Sequence, residues 1–328
     1  MKIAIVKLSA LGDIVHAMVA LQFIKTMNPK PEIDWIIEER YAGILADNPH
    51  IQQILTVNLK ALKNQGSGIF REAAKIKAYA AKNYDLVIDA QGLIKSACVA
   101  RLLSKNCTGF DQSSIREKPA AWFYRNTVSY PYDGNTIERQ IAVLTQPLGL
   151  RISHAQIIEK QPFLFFSPPS ITFAPLPARQ KMVLFVIGST WPSRNYPKEK
   201  YLDVINSLKV NSLICWGTDS ERQAALWLSE RCSAQILPAL SLNDLKFVIS
   251  QSDLVIGNDT GPTHMAWAMN RPSITLFGPT PISRVLETPI NKTLKSSSIV
   301  NPFKLNKQDF SIGEISSEAV ITLANTLL

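Results

Sequence analysis

The alternation of short apolar runs with helical patterns constrains the fold of this chain more than any other feature. In the first half, β-type runs such as Lys2–Lys7 and Asp85–Asp89 are followed by helical patterns at Asp13–Thr26 and Ile94–Ser104. Strands that are apolar throughout are typical of a parallel sheet that is covered by helices on both faces. The pattern therefore predicts a doubly wound α/β sheet, whose ligands bind beyond the carboxyl ends of its strands.

The same pattern resumes after a proline-rich segment. Residues 162–179 contain five prolines and little helical pattern, which is typical of a linker. Later strands are predicted at Met182–Val186, Ser212–Cys215, Asp253–Ile256 and Ser273–Phe277. Because 328 residues suffice for two domains, we predict Rossmann-like domains at residues 1–165 and 176–313 that face each other across a cleft. A C-terminal helix at 314–328 could pack back on the first domain.

The net charge of the chain is strongly positive, at +9. The excess is uneven, since residues 1–165 carry 20 Lys and Arg against 14 Asp and Glu. Such a surface could meet nucleic acid, an anionic membrane or a phosphorylated substrate, and the charge alone does not choose among them.

Composition and patterning favour a cytoplasmic protein. The four cysteines show neither a C-x-x-C pair nor zinc spacing, so buried thiols in a reducing compartment are expected. Lys7 and Asp13 interrupt the apolar N-terminal run, which argues against a signal peptide. No apolar run approaches the roughly 18 residues that a membrane span requires.

The common nucleotide and metal motifs do not occur. No G-x-G-x-x-G follows the first strand and no P-loop is present, which removes the best support for a nicotinamide enzyme or an NTPase. The four histidines are scattered, and the chain has no H-E-x-x-H or Cys/His cluster. We therefore expect neither a cofactor nor a metal site.

Asp13 follows a turn, Ser9–Gly12, that joins the first strand to the first helix. A carboxylate at a helix N-terminus is stabilised in its ionised form by the unsatisfied backbone N–H groups there. On this pattern alone, Asp13 is either a functional carboxylate or simply a residue of the first helical turn.

The second half holds two candidate anion sites. Gly257–His264 runs from a strand end into a helix start, where backbone N–H groups attract phosphate. Gly188–Thr190 adds hydroxyl donors, and Arg194 adds a bidentate cation. Trp216 and Glu221 offer an aromatic wall and an acceptor for ribose hydroxyls. The structural alternatives are an ordinary capped helix, a core tryptophan and a first-turn glutamate.

Together, several motifs resemble those of the ADP-heptose:lipopolysaccharide heptosyltransferases over nearly the whole chain. Two of them lie at strand ends of the first half, V-K-L-S-A-L-G-D-I-V-H at 6–16 and D-L-V-I-D-A-Q-G-L-I-K-S-A at 85–97. The others are D-W-I-I-E-E at 34–39, R-E at 116–117, W-G at 216–217, N-D-T-G-P-T-H at 258–264 and F-G-P-T at 277–280. The combination is specific and is most similar to the members that add the first heptose to Kdo-lipid A.

This resemblance implies a GT-B fold and an inverting reaction without a covalent glycosyl-enzyme, with the acceptor in the first domain and the nucleotide sugar in the second. It implies that Asp13 is the general base that deprotonates the acceptor hydroxyl. The implied donor-binding residues are Ser189, Thr190, Thr260 and Gly261 at the diphosphate, Asp259 at the sugar, Glu221 at the ribose, Leu240 at the adenine, and His264 in the same motif as Asp259.

Basic residues complete the implied site. Arg194 stands where the family commonly has lysine, which keeps the charge but changes reach and geometry. Lys60, Lys63 and Arg116 fit positions that would meet the acidic Kdo and the lipid A phosphates. The resemblance thus implies that the basic excess of the first half binds the anionic groups of the acceptor.

The resemblance thus implies an inverting glycosyltransferase that moves L-glycero-D-manno-heptose from ADP-heptose to Kdo-lipid A. We expect a monomer that is peripheral on the inner face of the cytoplasmic membrane and has no nucleic-acid partner. The alternatives are transfer to a heptosylated acceptor, as by heptosyltransferase II, and a related sugar-nucleotide enzyme such as an epimerase. A non-catalytic nucleic-acid binder is a third, for which the sequence shows no aromatic–basic or helix-turn-helix pattern.

Overall fold

The chain divides into two compact units, residues 1–165 and residues 166–328. The computed structural model describes residues 1–59, 68–171 and 180–328. Each unit contains its own six-stranded sheet, and the strand pairs in both sheets are parallel. The predicted α/β class therefore holds for each unit separately.

The sheet of the first unit has the strand order β3-β2-β1-β4-β5-β6. Its strands are β1 Lys2–Val6, β2 Glu32–Glu38, β3 Gln53–Val57, β4 Leu86–Asp89, β5 Cys107–Phe110 and β6 Asn126–Val128. Strands β1, β2 and β4 are buried almost throughout, as expected for a parallel sheet with helices on both faces. Strands β5 and β6 were not predicted because neither is a continuous apolar run: β5 contains a threonine and a glycine, and β6 has a single apolar residue.

Two helical layers flank this sheet. The helices are α1 Leu11–Met18, α2 Ala20–Ile24, α3 Ile69–Ala80, α4 Ile94–Leu103, α5 Thr136–Thr145 and α6 His154–Ile158. Helices α1 and α2 pack with α5, whereas α4 packs with both α3 and a 3₁₀ helix at Lys118–Phe123. Because crossovers between parallel strands are right-handed as a rule, we expect these two groups on opposite faces of the sheet. The single helix predicted at 13–26 is divided into α1 and α2 at Val19.

The sheet of the second unit has the order β12-β11-β10-β7-β8-β9. Its strands are β7 Met182–Val186, β8 Asn211–Cys215, β9 Gln235–Ile236, β10 Leu254–Asn258, β11 Ser273–Phe277 and β12 Asn291–Lys295. The helices are α7 Lys198–Leu208, α8 Asp219–Ser229, α9 Leu242–Gln251, α10 Gly261–Ala268 and α11 Ser317–Leu327. The core of this unit is built around Phe185, Tyr201 and Leu228.

Both sheets follow the same winding, because β1 lies between β2 and β4 just as β7 lies between β8 and β10. In a doubly wound sheet, the direction of winding reverses at this position, and the strand-end loops diverge to leave a crevice for a ligand. Val6 pairs with Asp89 in the first sheet, and Val186 pairs with Gly257 in the second. The loops that follow these residues carry the motifs of the predicted site.

Two features differ from the sequence prediction. Helix α11 belongs to the second unit and packs against α7, with Val320 and Ala324 buried, so its placement on the first domain is wrong. At the start of the predicted linker, Phe163 is buried in the first unit, and Asn48 Nδ2 donates a hydrogen bond to its carbonyl at 3.3 Å. Residues 172–179, which complete the proline-rich segment, lie outside the described residues.

Candidate active site

The turn after β1 is held in place by the loop that follows β4. Gln91 Oε1 accepts hydrogen bonds from the backbone N–H groups of Leu8, at 3.1 Å, and Ser9, at 3.0 Å. The buried Lys7 Nζ donates to the Ala90 carbonyl at 2.9 Å. The two loops at the winding reversal of the first sheet are thus tied to each other.

Asp13 lies in the first turn of α1 and is partly exposed. Its Oδ2 accepts a hydrogen bond from the Ala10 N–H at 3.3 Å. Burial raises the pKa of the neighbouring Tyr41 phenol, Arg40 opposes the rise, and the charges of Glu38 and Asp13 add to it. Asp13 is thus a partly exposed residue of the first helical turn, next to the loop that follows β1.

Asp89, at the end of β4, positions Gln91. Its fully buried carboxylate accepts hydrogen bonds from the N–H groups of Gln91, at 2.8 Å, and Gly92, at 3.3 Å. The hydroxyls of Ser96 and Tyr124 donate to its other oxygen, each at 2.7 Å. Burial raises the pKa of Asp89, and these hydrogen bonds partly oppose the rise. The D-A-Q-G motif marks this loop in the sequence, but the contribution of Tyr124 has no sequence signal.

The predicted acceptor residues fall in different parts of the first unit. Lys60 and Lys63 lie outside the described residues. Arg116 is exposed on the loop that precedes the 3₁₀ helix Lys118–Phe123. Its neighbour Glu117 accepts a hydrogen bond from the Ile94 N–H at 2.8 Å, so this loop is fixed to the N-terminus of α4.

In the second unit, Asp259 directly follows β10 and is only 1% exposed. Its Oδ2 lies 2.9 Å from Arg194 Nη2 and 3.5 Å from Arg284 Nη1, and its Oδ1 lies 2.9 Å from His264 Nε2. Burial by itself raises the pKa of a carboxyl group, but Arg284, Arg194 and His264 together lower the pKa of Asp259 well below its usual range. Asp259 is thus ionised at neutral pH, and its two guanidinium neighbours leave the cluster with a net positive charge.

Three members of this cluster, Arg194, Asp259 and His264, are predicted site residues that the fold brings together. Arg284 is a site residue that the sequence analysis missed. It lies seven residues after β11, which pairs with β10, so its loop emerges beside the loop that carries Asp259. The only sequence signal was a cation close behind the F-G-P-T motif.

Asn258, the last residue of β10, connects this strand end with the loop after β7 and with helix α7. Its buried Oδ1 accepts hydrogen bonds from the Tyr196 N–H, at 3.0 Å, and the Tyr201 hydroxyl, at 3.2 Å. Its Nδ2 donates to the Ile187 carbonyl at 2.9 Å. This amide therefore fixes the loop after β7, which carries Arg194, relative to the loop that carries Asp259.

Several hydroxyl groups in these loops have no hydrogen-bond partner among the described residues. They are Oγ of Ser189, Oγ of Ser193 and Oγ1 of Thr280. Ser193 and Thr280 are almost fully buried, and Thr190 beside Ser189 is exposed. Because buried polar groups are normally paired, the unpaired hydroxyls are suited to donate to a ligand.

The N-terminus of α10 adds backbone donors to the same region. Thr260 precedes the helix, Gly261 is its first residue, and Pro262 occupies the first turn without needing a donor. The unsatisfied N–H groups and the helix dipole favour an anion here. The alternative of an ordinary capped helix is weakened, because the Thr260 side chain makes no capping hydrogen bond.

Glu221 lies against the backbone of Gly188. It belongs to the first turn of α8, and its Oε2 accepts a hydrogen bond from the Gly217 N–H at 2.7 Å. A Cβ atom at position 188 would lie 2.0 Å from Glu221 Cδ, so any larger residue there would have to displace the Glu221 carboxylate. The strand-end loops of β7 and β8 are therefore in direct contact at the Glu221 carboxylate.

Trp216 was predicted to be either an aromatic wall of the site or a core tryptophan, and it packs as a core residue in part. Its indole N–H donates to the Leu237 carbonyl at 2.8 Å, and its ring packs against the core of the second unit. Leu240 lies three residues beyond this anchor and is partly exposed. Trp216 is thus in part a core residue, and it fixes the loop that presents Leu240.

Within the described part of the chain, no group of three or more His, Cys, Asp or Glu side chains is arranged to hold a metal ion. No helix in that part is both long enough and apolar enough to cross a membrane.

Comparisons with known proteins show the family of the chain. The model of glycosyltransferase family 9 (heptosyltransferase) matches residues 73–310. Lipopolysaccharide heptosyltransferase 1 of Campylobacter coli is 35% identical, with 100% of this chain and 99% of the relative covered. Lipopolysaccharide heptosyltransferase 1 of Escherichia coli (strain K12) is 30% identical, with 85% of this chain and 88% of the relative covered.

A solved structure extends the likeness to the fold. The structure of E. coli heptosyltransferase WaaC with ADP-2-deoxy-2-fluoro heptose matches this chain with a TM-score of 0.80 at 24% identity, and 100% of both chains is covered. The predicted GT-B fold class, with two Rossmann-like domains, is confirmed. The family match and the full-length relative together show that the chain belongs to glycosyltransferase family 9, the heptosyltransferases.

Proposed function

We propose that this enzyme transfers L-glycero-D-manno-heptose from ADP-heptose to Kdo of Kdo-lipid A, with inversion at the anomeric carbon. The observation that carries the donor side is the buried Asp259 cluster, whose net positive charge suits a diphosphate. The near-complete alignment with a relative named heptosyltransferase 1 supports transfer of the first heptose of the inner core.

On the donor side, the diphosphate lies at the strand-end loops of the second unit. The hydroxyls of Ser189 and Thr190 and the N–H of Gly261 donate to its oxygens. Arg194 and Arg284 neutralise the charge that develops as the bond between the anomeric carbon and the diphosphate breaks. Asp259 holds both guanidinium groups, which pre-organises them for the leaving group.

At the nucleoside end, Glu221 accepts hydrogen bonds from the ribose hydroxyls. Leu240 packs against the adenine, in a pocket whose wall is fixed by Trp216. These contacts bind ADP as well as ADP-heptose, so they contribute to donor affinity rather than to the chemical step.

On the acceptor side, Asp13 is the general base. The acceptor hydroxyl of Kdo attacks the anomeric carbon and transfers its proton to the Asp13 carboxylate, while ADP departs with the electron pair of the broken bond. The products are the heptosylated acceptor and ADP, and the sugar is inverted because a single displacement takes place. Arg116, with Lys60 and Lys63, meets the anionic groups of the acceptor.

We place this reaction at the inner face of the cytoplasmic membrane, with the enzyme as a peripheral protein. The proposed acceptor is anchored in a bilayer by its acyl chains, so the enzyme has to work at the lipid surface. The basic excess of the first unit supports attraction to such an anionic surface.

One assay tests the proposed function: ADP release from ADP-heptose, measured without acceptor, with Kdo-lipid A and with a heptosylated acceptor. We expect rapid release only with Kdo-lipid A, together with a product that has gained one heptose. Preference for the heptosylated acceptor would assign the second transfer step instead. Conversion of the sugar nucleotide in the absence of any acceptor would indicate an epimerase rather than a transferase.

Gly188→Ala is expected to weaken ADP binding by about tenfold or more, because the added methyl group has to displace the Glu221 carboxylate. Isothermal titration of the purified variant with ADP measures the effect. Gly217→Ala is the matched control, since its Cβ would lie at an ordinary 3.5 Å from Glu221 Oε2. Equal affinities for the two variants would contradict a role for Glu221 in the nucleoside site.

A further inference from the structure

One helical layer of the first unit has an unusual outer surface. Helix α4 lies in this layer between α3 and the 3₁₀ helix Lys118–Phe123, and it packs against both. We call the outer surface of α4 and of the 3₁₀ helix the α4 face. The α4 face presents the exposed side chains of Ile94, Lys95, Arg101, Leu102 and Trp122, and we include the exposed Lys105, two residues beyond the end of α4.

The two sides of α4 are sharply different. Towards the sheet, its buried residues include Ala97, Ala100 and Leu103, at helical spacing. On the other side, the exposed residues are two adjacent apolar and basic residues in each of two turns, Ile94 and Lys95, then Arg101 and Leu102. The outer side of α4 thus alternates apolar and basic side chains, whereas the solvent face of a globular helix is ordinarily dominated by charged and polar residues of both signs.

Large apolar side chains are concentrated on this layer. Of the five large hydrophobic residues that are exposed in the described part of the first unit, four lie on α3, α4 or the 3₁₀ helix. They are Phe70, Ile94, Leu102 and Trp122, exposed to 85%, 41%, 55% and 74%. Scattered exposed residues are normal, but a group on adjoining elements indicates a binding surface.

The charge of the α4 face is one-sided. Segments 94–105 and 116–125 contain six Lys and Arg residues and a single acidic residue, Glu117. Glu117 accepts the hydrogen bond from the Ile94 N–H, so its charge is engaged at the N-terminus of α4. These segments therefore combine exposed cations with exposed large apolar side chains.

We propose that the α4 face docks the enzyme onto an anionic phospholipid bilayer. Trp122 and Leu102 enter the boundary between head groups and acyl chains, where tryptophan is favoured. The aliphatic stems of Lys95, Arg101 and Lys105 follow them, while the charged ends contact lipid phosphates. The proposal rests on the proposed lipid-linked acceptor for its purpose, and the docking itself can be measured without any sugar transfer.

Sedimentation with vesicles tests the docking. Wild-type enzyme should bind vesicles of equimolar phosphatidylcholine and phosphatidylglycerol at least about tenfold more tightly than vesicles of phosphatidylcholine alone, and added salt should weaken the binding. The pair Arg101→Glu, Lys105→Glu should lower binding to the anionic vesicles by about tenfold or more, because two attractive charges become repulsive. The pair Leu102→Ser, Trp122→Ala should also lower it, by loss of apolar insertion.

Matched controls come from the second unit. Ile299 and Phe303 are exposed to 99% and 69%, so the pair Ile299→Ser, Phe303→Ala removes comparable apolar surface. The pair Lys209→Glu, Lys304→Glu reverses two exposed charges there. We expect both controls to bind anionic vesicles as the wild type does. Equal losses in the controls, or no binding by the wild type, would overturn the proposal.

Two further measurements separate docking from transfer. All variants should keep their thermal unfolding midpoint and their affinity for ADP, which binds in the second unit. The α4-face variants should lose transfer to Kdo-lipid A in vesicles but keep transfer to a deacylated, water-soluble acceptor. If the wild type shows no transfer but only the α4-face variants lose vesicle binding, the proposed function fails and the docking surface stands. If transfer is normal and the α4-face variants bind vesicles normally, only the docking surface fails.

Discussion

Asp13→Asn is expected to lower turnover by roughly 10²–10⁴-fold, the range typical of a lost general base. The amide keeps nearly the size of the carboxylate and can still accept the hydrogen bond from the Ala10 N–H, so the start of α1 is preserved. The affinity for ADP-heptose should stay unchanged, because the donor site is built from the second unit. Steady-state turnover with Kdo-lipid A and calorimetric donor titration measure the two quantities.

Glu39→Gln provides the control for this experiment. Glu39 is an exposed carboxylate in the first turn of a short 3₁₀ helix that follows β2 in the same unit. Its loss should leave turnover within about twofold of the wild type, as for ordinary surface substitutions. Near-wild-type turnover in Asp13→Asn would remove the base assignment and leave Asp13 as a first-turn residue.

The position of Asp13 could be predicted because it depends on local sequence. An apolar strand, a small-residue turn and a helical pattern follow each other within a few residues, so the carboxylate had to lie at a helix start. The motif around Asp259 was predictable for the same reason. In both cases strand, turn and helix are consecutive, and no long-range contact is needed to place the side chain.

The partners of these residues could not be predicted, because they come from distant parts of the chain. Tyr124 reaches Asp89 across 35 positions, and Arg284 reaches Asp259 across 25. Both contacts depend on which strands are neighbours, and alternation of strands and helices leaves that order undetermined. Gly109 in β5 is another residue whose role depends on a distant contact that the sequence does not show. A Cβ at this position would lie 2.4 Å from the Tyr124 ring.

The assignment of a function to Asp13 depends on the second unit as well as on the sequence around Asp13. A lone carboxylate before a helix favoured the structural interpretation of Asp13 over the functional one. The second unit changes that balance, because its buried Asp259 is engaged by two guanidinium groups and a histidine. A carboxylate held in this way is occupied with cations and is poorly suited to remove a proton. A general base therefore has to come from elsewhere, and Asp13 is partly exposed at the strand-end crevice of the first unit.

Asp259→Asn is expected to destabilise the second unit by about 3–5 kcal/mol, the usual cost of breaking a buried ion pair. The substitution leaves Arg194 and Arg284 close together without a counter-charge, so each loses favourable interaction in a poorly solvated position. Donor binding should fall as well, because the guanidinium groups are no longer held in place. Chemical denaturation and ADP titration of the variant measure both effects.

Glu230→Gln is the matched control, since it breaks an ion pair of similar length, 3.0 Å, that is largely exposed. It should change the free energy of unfolding by no more than about 1 kcal/mol, as is usual for surface pairs. Similar losses in the two variants would mean that burial does not strengthen the Asp259 pairs.

The pH dependence of the Asp259 contribution has a definite sign. Arg284, Arg194 and His264 outweigh the effect of burial and lower the pKa of Asp259 in the folded state, so its ionised form is favoured by folding. The contribution is fully present above the unfolded-state pKa of about 3.9 and is lost as the pH falls towards the folded-state value. The stability difference between the wild type and Asp259→Asn should therefore be constant near neutrality and shrink below about pH 4. A difference that grew in acid would mean that folding favours the protonated carboxyl, and Asp259 would then be a buried neutral acid rather than the anchor of two cations.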